Sequence, residues 1–238
     1  MLTHLDLHKI LFLDIETVPL YSNFSEVPEI EKKYFEEKTA YQRKDEITTE
    51  DFYNKAGIWA EFGKIICLSV GYFAPTKNKR EFRLKSFFGD EKFLLTEFKA
   101  LIETHFNSPK HRLCGHNAKE FDFPFIARRM LIHQIALPTT LQLFNKKPWE
   151  VPHLDTLHLW RFGDFKHYTS LKLMAYTLGI PSPKDDIDGS QVASVFYEER
   201  NINRIVTYCE KDVVTVAQIF LKLRNSPLLR EEEISFST

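Results

Sequence analysis

The 238-residue chain has little from which to build a disulfide scaffold, a zinc ribbon or a phosphate-cradling loop. Its three cysteines, Cys67, Cys114 and Cys209, are an odd number without CxxC spacing, each inside an apolar run. A disulfide framework needs paired cysteines in an oxidising compartment, so these three read as buried packing residues of a protein kept reduced. Only eight glycines are present and none form a phosphate-binding pattern. Neither sign of charge dominates, with 32 Lys and Arg against 33 Asp and Glu and a net charge of −1. That balance excludes a duplex binder working through bulk positive charge, so any contact with nucleic acid has to be local. No apolar run approaches the ~18 residues a membrane helix requires. The start, MLTHLDLHKI, carries Asp6 in place of a basic leader. The expectation is a soluble, cytoplasmic protein without membrane association.

What is present is ordinary globular material, 43% hydrophobic and 27% charged, sufficient for one domain with an insertion. Residues 9–16 form a nearly continuous apolar run of the kind found in a strand covered on both faces. From Tyr21 to about Glu61 the chain is charged and weakly periodic, with short helical patterns at 29–38 and 49–55, and reads as an insertion. Two strand patterns, 65–73 and 81–88, flank the turn-rich stretch 74–78, as in an antiparallel hairpin. A helical stripe over 90–105 is followed by a short strand at 112–116 and by a helix opening near Pro124. Further helices are predicted at 170–178, 190–199 and 201–224, with Ser170, or Thr169, and Ser190 as N-caps. Residues 225–238 read as an acidic, loosely ordered tail, leaving 1–224 as a single domain.

Asp14 and Glu16 interrupt a strand that otherwise wants to be buried. Residues two apart project to one face of a strand, so the two carboxylates stand side by side. Such a pair beside a core needs a cation, and a hard divalent metal with oxygen ligands is the usual solution; the alternative is a strand that has ended in solvent. Asp122 lies past a later strand and two residues before Pro124, where it either caps a helix or joins a site. On the last helix, Tyr208 and Asp212 are four apart and share one face at the edge of an apolar stripe, an arrangement that by itself means packing.

Taken together, in this order, Asp14-Ile15-Glu16-Thr17, Asn117 through Phe121-Asp122, and Tyr208-Cys209-Glu210-Lys211-Asp212 resemble the three motifs of the DEDD superfamily of 3′-5′ exonucleases, in its DEDDy branch. Gly63-Lys64-Ile65 and the stretch from Leu178-Gly179-Ile180 to Asp188-Gly189-Ser190-Gln191-Val192 are more narrowly similar to stand-alone proteins related to the exonuclease domain of family B DNA polymerases. The resemblance covers most of residues 8–222. It implies an RNase H-like α/β fold, a mixed five-stranded sheet flanked by helices. It further implies that Asp14, Glu16, Asp122 and Asp212 hold two Mg²⁺ or Mn²⁺ ions about 4 Å apart, and that Tyr208 orients the attacking water. Thr17 and Val18 would lie against the terminal nucleotide, with Asn117 and Phe121 near the scissile end. Asp155 matches an acidic position that supports the site without being a ligand.

Lys166, His167 and Lys172 are candidate phosphate contacts. Lys146, Lys147 and Trp149 form either a stacking lip or a tight surface loop. His153 and His158, five apart, miss the spacing of a helical metal pair. The expected activity is metal-dependent removal of nucleoside monophosphates from 3′ ends of single-stranded DNA. The rivals are an RNA-trimming exonuclease and a catalytically silent nucleic-acid-binding domain. Protein partners are not readable.

Overall fold

A computed structural model describes residues 2–43, 47–76, 79–181 and 187–236. Strand β1 (Ile10–Pro19) is buried along nearly its whole length. The insertion follows, with α1 (Glu29–Thr39), α2 (Thr49–Phe52) and a 3-10 turn at Tyr53–Ile58. Then come β2 (Gly63–Phe73), β3 (Phe82–Phe88), α3 (Glu91–His105), β4 (Arg112–Gly115) and α4 (Asp122–Ile132). The remainder holds β5 (Leu154–Asp155), α5 (Thr156–Arg161), α6 (Leu171–Thr177), α7 (Val192–Tyr197), α8 (Ile202–Leu223) and β6 (Ile234–Phe236). The order across the sheet is β5-β4-β1-β2-β3-β6. Strand β2 pairs antiparallel with both β1 and β3, while β4 pairs parallel with β1, β5 with β4 and β6 with β3.

Side-chain alternation along β1 sets the two layers. Leu11, Leu13 and Ile15 join a core with Phe98 of α3 and Phe123 and Ile126 of α4. Ile10 and Phe12 face the other way, onto Val213, Val216 and Phe220 of α8. The β1–β4 register runs only from Ile10↔Arg112 to Phe12↔Cys114, so β1 extends beyond the carboxyl end of its parallel neighbour. That end, where the strands flanking β1 run in opposite senses, is where open α/β sheets form their clefts.

Three sequence expectations are corrected. The sheet has six strands, not five, because the tail expected to be loosely ordered supplies β6. Leu229 is buried and exchanges two hydrogen bonds with the Gln218 side chain, at 2.8 and 2.9 Å, and Arg80 pairs with Glu233 at 2.7 Å. Arg230 also pairs with Glu232 and Glu233, at 3.1 and 3.4 Å, but Arg80 is far away in the chain, which is why the run reads as solvated. Ser190 caps no helix; it bonds to Asp188, and α7 starts at Val192. Of the turn expected at 74–78, Lys77 and Asn78 lie outside the described residues, as do 182–186 of the stretch between Ile180 and Asp188.

The insertion is a packed body. Phe35, fully buried, meets Tyr53, Trp59 and Phe62 edge-on. Its end is locked to β2 by glycine contact, since a Cβ on Gly63 would sit 2.8 Å from the Gly57 carbonyl oxygen. Nearby, Glu91 accepts hydrogen bonds from Arg129 (2.9 and 2.5 Å) and from the Ile65 N–H (2.7 Å), while Arg129 donates to the Ala60 carbonyl at 2.9 Å. This buried pair ties α3, α4 and β2 into one frame. Arg129→Met leaves the buried Glu91 carboxylate with only His133 at 2.6 Å and the Ile65 N–H as partners among the described residues and is expected to cost about 3 kcal/mol in urea unfolding. The double variant E91Q/R129M should recover part of that loss; equal losses would show that Arg129 acts by packing alone.

Candidate active site

Asp14 and Glu16 continue the row of Ile10 and Phe12 and therefore project toward α8. Each is paired across the sheet with a small residue of β2, Asp14 with Ser69 and Glu16 with Cys67, which leaves room for that helix to approach. Ligand atoms of Asp14, Glu16 and Cys209 lie within 4.8 Å of one another. Tyr208 and Asp212, one turn apart on α8, share a side-chain hydrogen bond. Asp122 opens α4 and is almost wholly buried; the Ile15 backbone N–H and its own N–H favour its charged form. Strand β1, the N-terminus of α4 and the middle of α8 thus converge.

The electrostatics are one-sided. Burial first, and then the charges of Glu16, Asp122 and Asp212, push the Asp14 carboxyl well above the usual range. Burial and the neighbouring acids do the same to Glu16, and burial raises Asp122 to about 7. Among the described residues, none of these three forms an ion pair. A set of hard oxygen donors that repel one another fits a divalent cation of the Mg²⁺ or Mn²⁺ kind. Cys209 does not change that assignment. Burial raises its pKa, so it stays a thiol, and it donates to the Asp14 carbonyl (3.4 Å) and carboxylate (3.5 Å) rather than offering a thiolate.

The loop carrying the second motif is held by Asp155. Its carboxylate accepts from four backbone N–H groups, those of Asn117, Lys119, Leu157 and His158, at 2.9–3.2 Å. With its oxygens so occupied, it organises the loop and is not available as a ligand. Gly115 lets the turn close, since a Cβ there would meet Ala118 Cβ at 2.5 Å. Asn117 adopts a left-handed backbone with φ 60°, and its buried Oδ1 has no hydrogen-bond partner among the described residues. His116 uses both ring nitrogens, toward Thr156 and the Thr169 carbonyl, and burial lowers its pKa; it is an anchor. Glu210 of the third motif faces away and accepts from Ser86 at 2.7 Å.

Two cavities flank the carboxylates. One of about 450 Å³ is lined by Glu16, Thr17, Phe121 and, from the insertion, Asn54, Lys55 and Gly57. The other, about 290 Å³, is lined by Asp14, Tyr208, Asp212, His116, Tyr168 and Lys172. Gly189 borders both. Thr17 and Phe121 are part of the wall of the cavity beside Glu16, and Thr17 fixes the insertion by donating to the Gly57 carbonyl at 2.8 Å. Val18 is not: its side chain is fully buried against Ile66, Cys67 and Val192, since it lies in the row that faces α7 and α8. Lys166 lines neither cavity and sits on the loop outside. Asn54, Lys55 and Tyr168 escape sequence reasoning because no motif marks them.

The six-stranded mixed sheet with its flanking helices is an RNase H-like α/β fold. The chain belongs to the family described as predicted 3′-5′ exonucleases related to the exonuclease domain of PolB, whose model matches residues 58–232. The match includes Asp122, Tyr208 and Asp212, whereas Asp14 and Glu16 precede it. Among curated proteins, none matches this chain.

Removing one of the clustered charges should relieve repulsion. Asp122→Asn is expected to raise the melting temperature of the metal-free protein at pH 8, by about 2–4 °C for each kcal/mol relieved. The same variant should blunt the stabilisation that Mn²⁺ gives the wild type. A lower melting temperature would instead place Asp122 in a structural hydrogen-bond network with Ile15.

Proposed function

We propose that this chain is an exonuclease that hydrolyses single-stranded DNA from its 3′ end with two divalent metal ions, releasing nucleoside monophosphates. The observation that carries the reading is the convergence of Asp14, Glu16, Asp122 and Asp212, with burial and neighbouring carboxylates raising the pKa of Asp14, Glu16 and Asp122. These four would hold two Mg²⁺ or Mn²⁺ ions, which when bound supply charge neutralisation at the phosphate and acidify water. The family's relation to a polymerase exonuclease domain supports DNA over RNA. In this reading the chain is one catalytic domain with residues 21–61 inserted and β6 completing its sheet, working in the reducing cytoplasm.

The protein's own groups divide the remaining work. Burial and the charges of Asp212, Glu16 and Asp14 keep the Tyr208 phenol protonated. Its one proton is donated to the Asp212 carboxylate, so it orients the attacking water by accepting a hydrogen bond at its oxygen and does not abstract a proton. The cavity beside Glu16 takes the terminal nucleoside against Thr17 and Phe121. A further cavity outward shares Pro19, Asn54, Ser190 and Ala193 with it and carries Glu50 and Glu198. Those carboxylates repel another phosphate, which favours recognition of a chain end over passage of a continuous strand.

End-labelled single-stranded DNA and RNA, offered with Mg²⁺, Mn²⁺ or EDTA, test the proposal. Mononucleotides should appear from the 3′ end, EDTA should abolish turnover, and circular single strands should resist. Full activity in EDTA would falsify the metal reading, cleaved circles would indicate an endonuclease, and preference for RNA would reassign the substrate. Tyr208→Phe should lower kcat by roughly 10- to 1000-fold with substrate binding and Mn²⁺ affinity preserved. A wild-type kcat, where chemistry limits turnover, would reduce Tyr208 to packing.

A further inference from the structure

Between α5 and α6 the chain exposes three aromatic rings within residues 162–168. Phe162, Phe165 and Tyr168 are 86, 70 and 63% exposed. Single exposed apolar side chains are ordinary, but a cluster marks an interaction surface. The backbone is strained to present it, with Phe162 at φ 44° ahead of Gly163 at φ 92°; a bulky residue in the left-handed region is held there by its surroundings. Cations are interleaved. Lys166 and His167 stand between the rings, and the Arg161 guanidinium lies over Phe165 at 5.5 Å from the centroid while pairing with Glu120 at 3.0 Å.

The row has a direction. Tyr168 lines the cavity that contains Asp14, Tyr208 and Asp212, and it stands edge-on to His116 at 6.3 Å. This is the opposite side of the carboxylates from the Glu16 cavity, and Lys172, on the same wall, lies over the Tyr208 ring at 5.8 Å. Aromatic faces alternating with cations suit unstacked bases joined by phosphates, whereas paired bases offer no face to stack. Resting on the exonuclease reading, we propose that residues 162–168 form the platform for the strand 5′ to the scissile phosphate. Bases stack on Phe162, Phe165 and Tyr168, phosphates meet Lys166 and His167, and the surface selects single-stranded over duplex nucleic acid.

The test compares two substrates of the full chain with Mn²⁺: a twenty-residue oligothymidylate, and the p-nitrophenyl ester of thymidine 5′-monophosphate, which has no upstream strand. In Phe162→Ala and Phe165→Ala, kcat/KM for the oligomer should fall by roughly 5-fold or more while the ester is hydrolysed at the wild-type rate. Circular dichroism should confirm an unchanged fold, as both rings are solvent-facing. Equal loss on both substrates, or loss on neither, overturns the platform. If the wild type hydrolyses neither substrate, the exonuclease reading fails separately, and the platform is then judged by fluorescence anisotropy of the labelled oligomer. Weakened binding in both variants, with duplex failing to compete, sustains it. Unchanged binding, or equal competition by duplex, overturns it.

Discussion

Carboxylates of like charge gather in a protein interior only against desolvation and mutual repulsion, and Asp14, Glu16 and Asp122 do so with no ion pair of their own among the described residues. Much of the surrounding structure can be understood as what holds them there. Strand β1 is covered on both faces by apolar layers, so its backbone cannot yield to move the acids apart. Helix α4 is fastened at its far end by the Arg129–Glu91 pair, which fixes where its first residue, Asp122, begins. Helix α8 is anchored by Val213, Val216 and Phe220 on the sheet, one to three turns from Tyr208. A site that stores repulsion needs a rigid frame, and a bound cation of opposite sign is what would release it.

The parts legible in the sequence were those whose signal is local. The alternation of β1 placed Asp14 and Glu16 on one face, and the helical period placed Tyr208 beside Asp212; both are consequences of backbone geometry over a few residues. Asp155 was recognisable as an acid in the right stretch, and its role emerges only when four N–H groups from two segments are seen around it. Strand β6 was missed because Glu231–Glu233 looks solvated until Arg80 is brought to it. Val18 was placed at the substrate face because it follows the motif directly; the same alternation that aims Glu16 at α8 buries Val18 against α7. Short β5 and α5 carry too few residues to show a period.

The family match leaves out the residues that most need explaining. It begins at residue 58, so β1 and most of the insertion lie outside it, yet Asp122, Tyr208 and Asp212 inside it surround the β1 carboxylates. Two acids on β1 are ambiguous alone, since a strand end in solvent would produce the same sequence. Enclosed by the matched segment they are not at a strand end in solvent: Glu16 is buried and pairs across β2 with Cys67. Geometry therefore joins the two portions of the chain into one cluster.

The insertion has a physical task in that arrangement. An RNase H-like cleft open at both ends would admit any stretch of a strand, and nothing in four carboxylates distinguishes an end from an interior bond. Residues 53–58 close one side: the Thr17 hydroxyl holds the Gly57 carbonyl, Gly57 packs on the Val18 backbone, and Asn54 and Lys55 become the wall opposite Phe121. Because Phe35, Tyr53, Trp59 and Phe62 give this segment a core of its own, the wall does not depend on substrate for its shape. With Glu50 and Glu198 beyond it, the space past Glu16 would, on the exonuclease reading, accept a sugar and base more readily than another phosphate. Polarity of digestion would then be set by an element outside the catalytic cluster, and the chemistry at the carboxylates would be indifferent to it.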